Sequence, residues 1–146
     1  MADIDLTRLK TPPHSPEAEF SVLGGLMLDN EAWTEVSERL TSDDFFRRDH
    51  RIVFRAIETL AGESQPFDVV TVAERLEQTG ELADVGGLAM LGQLVEDTPS
   101  AANIVAYADI VRERAVMRDL IRAGTGIAER GYHPEGATTD QLLDQA

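Results

Sequence analysis

Apolar side chains recur along this chain at helical spacing, and no segment alternates with the two-residue period of a strand. Ser15 followed by Pro16 is a helix-opening pair, with Ala18, Val22 and Leu26 on one side and Leu23 beside them. Asn30 is placed to cap a second helix carrying Ala32, Trp33, Val36 and Leu40, and a turn over Ser42–Phe46 follows. Val53, Ala56, Ile57 and Leu60 mark a third helix, closed by Gly62 and Pro66. Thr71-Val72-Ala73-Glu74 reads as a capping box that opens a fourth helix, which Gly80 stops. Asp68-Val69-Val70 is too brief for a strand. After a tight connection at Leu82–Gly87, Leu88, Leu91, Leu94 and Val95 form another short helix.

The most informative segment runs from about Ala102 to Arg130 without a proline. As a helix it would be roughly 42 Å long, against a radius of gyration of about 15 Å for a compact domain of this size. It is therefore expected to project beyond a globular body. Advancing about 100° per residue from Ile104, the side chains of Ile104, Tyr107, Ala108, Val111 and Ala115 fall within roughly 60° of one another's mean direction. Met117, Leu120, Ile121, Gly124, Ile127 and Ala128 gather near about 200°, on the opposite side. One half of the helix can pack on the body, and the other must bury its stripe against something else. Thr138 with Gln141 opens a last helix through Leu142 and Leu143. Ala146 follows within two turns, too soon for an independently stable helix. The expectation is a helical hairpin cut inside its second arm, in a chain that belongs to a longer protein.

The fold class expected is thus all-α, a multi-helix body followed by a long protruding helix that starts a truncated hairpin. The expected organisation is a flexible tail over 1–13, a globular body over 14–100 and the hairpin over 101–146.

Charge narrows the function. Asp and Glu number 27 against 13 basic residues, a net charge of −14, and Lys10 is the single lysine. Such a chain repels a phosphate backbone, so little direct nucleic-acid binding is expected. The absence of cysteine excludes disulfides and thiolate metal sites and fits a reducing cytoplasm. No apolar run reaches the roughly 18 residues of a membrane span, and no signal peptide opens the chain.

Catalytic patterns are missing. A P-loop needs Gly-Lys before Ser or Thr, and Lys10 follows Leu9. His14, His50 and His133 lack paired ligand spacing and are expected at the surface or at caps. There is no Cys nucleophile and no G-x-S-x-G elbow. Asp43-Asp44 suits a helix start. Gly24-Gly25 suits close helix contact rather than a phosphate loop. Trp33 and the phenylalanines stand at core spacing. These features leave an interaction domain with no catalytic residue, cofactor or metal of its own.

Several runs resemble the DnaB family of bacterial replicative DNA helicases. They are Pro13-His14-Ser15 with Glu17-Ala18-Glu19, Ser21 to Asn30, Asp44-Phe45-Phe46 with His50 and Ile52 to Phe54, Val85-Gly86-Gly87, Thr98 to Ile104, and Tyr107 to Ala115. The resemblance spans about Pro12 to Ala146. It implies the N-terminal domain of a hexameric helicase working at the replication fork, with a downstream RecA-like ATPase motor that would hold ATP and magnesium and is absent here. It implies hairpins paired between subunits as a trimer of dimers, a collar that recruits the C-terminal domain of primase, and in some systems a helicase loader. By position, Ile121, Ile127 and Leu142 are the candidates for primase docking or hairpin coupling. Met117, Leu120, Gly124 and Ala128 are the candidates for the dimer contact. The alternatives are an acidic DNA mimic or another helical adaptor, and a helix-turn-helix DNA binder. The mimic leaves the ordered motifs unexplained. The DNA binder would rest on Arg47, Arg48, Arg51 and Arg55, too few against −14.

Overall fold

The computed structural model describes residues 11–146; most of the expected tail, residues 1–10, lies outside the described residues. Seven α-helices and three 3-10 turns make up the regular structure, and no strand occurs among the described residues. Helix α1 spans Pro16–Leu28, α2 Trp33–Ser37, α3 Arg48–Gly62, α4 Val69–Thr79, α5 Gly87–Glu96, α6 Ile104–Tyr132 and α7 Thr139–Gln145. The 3-10 turns lie at Asn30–Ala32, Ser42–Asp44 and Ala83–Val85.

Local chemistry sets most boundaries. The Ser15 hydroxyl accepts the Ala18 N–H at 3.2 Å, with Pro16 at the first helical position. Gly80 ends α4 in the left-handed region at φ 76°, which a side chain would oppose. Thr138 and Gln141 form the reciprocal capping box expected at α7.

Three expectations are corrected. Asp29, not Asn30, caps the turn before α2, through Glu31 N–H. Asn30 instead ties two segments together: its amide donates to the carbonyls of Leu26 and Phe67 and accepts from Phe67 N–H. Helix α4 opens at Asp68, whose carboxylate accepts Thr71 N–H at 2.9 Å while Thr71 Oγ1 accepts Asp68 N–H at 2.8 Å. Thr71 thus closes the capping box from its third position rather than opening one. Helix α6 begins at Ile104, after two turns of irregular backbone, rather than at Ala102.

The chain divides into two compact units. One is His14–Arg114; the other joins, of the described residues, 11–13 with 115–146. The first contains α1 to α5 and the opening turns of α6, and its core includes Ile104, Ala108 and Val111. Phe45, Phe54 and Phe67 are buried in it, with half-buried Trp33 at 5.4 Å from Phe54 and 6.2 Å from Phe67. Fully burying one such side chain contributes about 1.5–3 kcal/mol. Gly24, having no side chain, lets α1 lie close to α5, and Gly25 lets it lie close to the start of α6. A Cβ on Gly24 would stand 2.5 Å from the Leu94 carbonyl oxygen and overlap the Thr98 hydroxyl; one on Gly25 would stand 2.9 Å from Ile104 Cδ1. The second unit contains the remainder of α6 and α7. In it Arg118 donates to the Pro13 carbonyl at 2.8 Å and Arg130 to the Gln145 carbonyl at 3.4 Å.

Candidate protein-docking surface on helix α6

The two apolar faces of α6 meet different environments. Ile104, Ala108, Val111 and Ala115 are buried, and Tyr107 is half-buried. The opposite stripe is open: Met117 is 41% exposed, Leu120 68%, Ile121 54% and Ile127 44%. Gly124 and Ala128 lie on the same stripe and are exposed, and a Cβ on Gly124 would meet nothing within 4 Å. Of the two leucines in α7, Leu143 is exposed and Leu142 half-buried. Every candidate residue read from the pattern is therefore at least partly open.

Water gains nothing by contact with this row. Fully burying an exposed leucine or isoleucine contributes about 1.5–3 kcal/mol against an association cost of about 4–15 kcal/mol, so a partner would have to cover several of these side chains at once. The charges beside the row are kept in local pairs, such as Arg122 with Asp119 at 3.3 Å. A glycine among larger apolar residues permits a second helix to approach closely. The row is an exposed apolar stripe along one side of the helix.

One polar cluster escaped the sequence reading. Glu19 is 1% exposed and His50 4%. His50 Nδ1 lies 2.8 Å from Glu19 Oε1. The same carboxylate accepts the backbone N–H of Phe46 at 2.8 Å and of Arg47 at 3.4 Å. Glu19 thereby fastens the entry of α3 to α1, and His50 is an internal strut rather than a surface or capping residue. The signal was present: Glu19 stands at i−4 and i−7 from Leu23 and Leu26, and His50 at i−3, i−4 and i−7 from Val53, Phe54 and Ile57. Both polar residues occupy apolar stripes, which is the mark of a buried pair. The other histidines differ. His14 stacks on Phe46 at 4.1 Å, and His133 borders a shallow recess with Gly126, Glu129, Arg130 and Glu135.

Three other acidic groups, Asp44, Asp49 and Glu63, hold structural partners. Asp44 accepts Thr41 N–H at 2.9 Å and holds Arg112 at 2.8 Å, so the expected helix-start role is joined by an ion pair. Arg47 grips Asp49 by two hydrogen bonds of 3.0 and 2.8 Å. That guanidinium holds the Asp49 carboxyl below its usual range. Arg75 does the same for Glu63. No group of three or more potential metal ligands is assembled among the described residues, and no described helix is long and apolar enough to cross a membrane.

Residues 11–113 match the sequence model of the DnaB-like helicase N terminal domain. The chain belongs to that family. It is 44% identical over 145 residues to the replicative DNA helicase DnaB of Haemophilus influenzae, covering 99% of this chain and 31% of that protein. It is 52% identical over 141 residues to the corresponding Buchnera aphidicola protein (subspecies Acyrthosiphon pisum), covering 97% and 31%. The chain thus spans about a third of the length of these relatives. The crystal structure of the N-terminal domain of DnaB helicase from Mycobacterium tuberculosis matches with a TM-score of 0.90 at 43% identity, over 92% of this chain and 94% of that one. The N-terminal domain of the Helicobacter pylori DnaB helicase, described with its interactions with primase, shares the fold at a TM-score of 0.71 and 23% identity, over 80% and 91%. The exposed stripe from Met117 onward lies beyond the residues that the DnaB-family model matches.

Proposed function

We propose that this chain is the collar and docking domain of a hexameric replicative DNA helicase, pairing subunits and recruiting primase at the fork in the cytoplasm. The observation that carries this reading is the open apolar stripe of α6. Met117, Leu120, Gly124 and Ala128 supply the contact between paired subunits, and Ile121, Ile127 and Leu142 the seat for the C-terminal domain of primase. A loader engages the same assembly in hosts that use one. Unwinding, with ATP and magnesium, belongs to a RecA-like motor elsewhere in the full-length protein, and this domain acts on it through ring assembly. Membership in the helicase family and the 44% identity over nearly the whole chain support the reading.

Calorimetric titration with the cognate primase C-terminal domain tests it. The native chain should bind, and Ile121→Asn should lose at least about tenfold in affinity, about 1.4 kcal/mol, with its helical circular dichroism unchanged. Equal binding by the variant would displace the seat from this stripe. Failure of the native chain to bind would remove the primase role from the isolated domain.

A further inference from the structure

Helix α3 carries a second outward feature, of opposite character. Arg48, Arg51 and Arg55 follow one another at i, i+3 and i+7, which places them within roughly a 60° arc of the helix. Arg48 and Arg55 are exposed, and their guanidinium groups make no hydrogen bond or ion pair with the described residues. Arg51 donates to the carbonyls of Phe45 at 3.0 Å and Phe46 at 2.7 Å, so it is held in place with its charge uncompensated. In a chain of net charge −14, other arginines at or near the surface are taken up by acids: Arg39 by Asp109, Arg47 by Asp49, Arg75 by Glu63, Arg112 by Asp44 and Arg122 by Asp119. The stripe stands out as positive charge with which no acid of the described residues forms an ion pair.

A recess of about 180 Å³ between α3 and α4 adjoins it, walled by Arg55 and Thr59 on one side and Thr79 and Glu81 on the other. Its floor is apolar, formed by Ile52, Ala56 and Leu76. The acids that face this region are Glu81, Glu58 one turn beyond Arg55, and Asp49, which is occupied by Arg47.

We propose that this face of α3 docks an acidic segment of a protein partner, with carboxylates on Arg48, Arg51 and Arg55 and an apolar side chain in the adjoining recess. Guanidinium groups accept carboxylates two-pronged and lose little hydration in doing so, which suits a protein contact. A nucleic-acid strand is disfavoured because the surrounding charge repels its phosphates. The surface is separate in residues and in chemistry from the apolar stripe of α6.

The test uses the 146-residue chain and a fluorescein-labelled peptide of Glu and Leu patterned as an amphipathic helix, followed by anisotropy. The native chain should bind, more weakly as salt rises from about 50 to 300 mM. Arg48→Glu with Arg55→Glu should lower the affinity at least about tenfold, while Ile121→Asn leaves it unchanged. Neither guanidinium has a partner among the described residues, so the melting temperature should hold; Arg48→Gln with Arg55→Gln replaces the pair if the reversal unfolds. The proposal is overturned if the native chain does not bind the peptide or if both arginine variants bind as the native chain does. It is equally overturned if Ile121→Asn abolishes binding, or if a single-stranded oligonucleotide binds this face as tightly as the peptide.

Discussion

Glu19 is the residue on which the packing of α1 against α3 turns. Its carboxylate receives three donors at a site closed to water. Glu19→Ala would leave the Phe46 and Arg47 N–H groups and the His50 ring without their partner in the interior. The expected cost is about 3 kcal/mol, read as a lowered midpoint in urea unfolding. Asp49 governs a pH effect at the same helix entry. Its carboxyl is held below the ordinary value, chiefly by the hydrogen bonds from Arg47. A depressed folded value contributes stability that is complete above the unfolded value, about 3.9, and fades as the pH falls through the folded one. Thermal melting of the native chain and Asp49→Asn should therefore differ at neutral pH, and the gap should close as the pH falls through the lowered folded value of Asp49. The asparagine keeps an oxygen for His50 N–H, so a gap that persists undiminished in acid would point to a packing defect instead.

At the scale of elements, two helix glycines have opposite meanings. Gly24 is where α1 touches α5, and the Cβ of Gly24→Ala would collide with the Leu94 carbonyl and the Thr98 side chain. Helices would have to separate, at an expected cost of about 1–3 kcal/mol. Gly124 has open space around it. Gly124→Ala should raise the stability of α6 by about 0.5–1 kcal/mol through helix propensity alone. Melting curves of the two variants should thus move in opposite directions. Both glycines were visible in the sequence, and the helical context of Gly24-Gly25 already suggested close contact. The partner of that contact was not legible, because it depends on which helix the chain folds back against it.

Across the whole molecule, charge and apolar surface divide the work of association. A net charge of −14 makes copies repel at long range, and the repulsion is screened within about 10 Å at 0.1 M salt. The subunit contact proposed through Met117, Leu120, Gly124 and Ala128 would gain little from charge. Self-association measured by sedimentation should therefore strengthen, or at least persist, as salt rises. It should be weakened by Leu120→Asn. Association that dissolves in high salt would instead mean that pairing is ionic and does not use the α6 stripe.

Periodicity and capping residues determined, without any tertiary information, that this chain is all-helical, where most helices start and stop, and that α6 has two apolar faces. They sufficed because backbone hydrogen bonds close within a few residues and the caps at Ser15, Gly80 and Thr138 act locally. They misplaced the starts of α4 and of the turn before α2, where adjacent residues offer equivalent caps and packing selects one. The exposed apolar stripe was readable because an apolar row on a helix has a fixed period. The Glu19–His50 strut and the Asn30 bridge to Phe67 were decided by the tertiary structure alone. Their partners stand 31 and 37 residues away, and only the folded core brings them within hydrogen-bond distance.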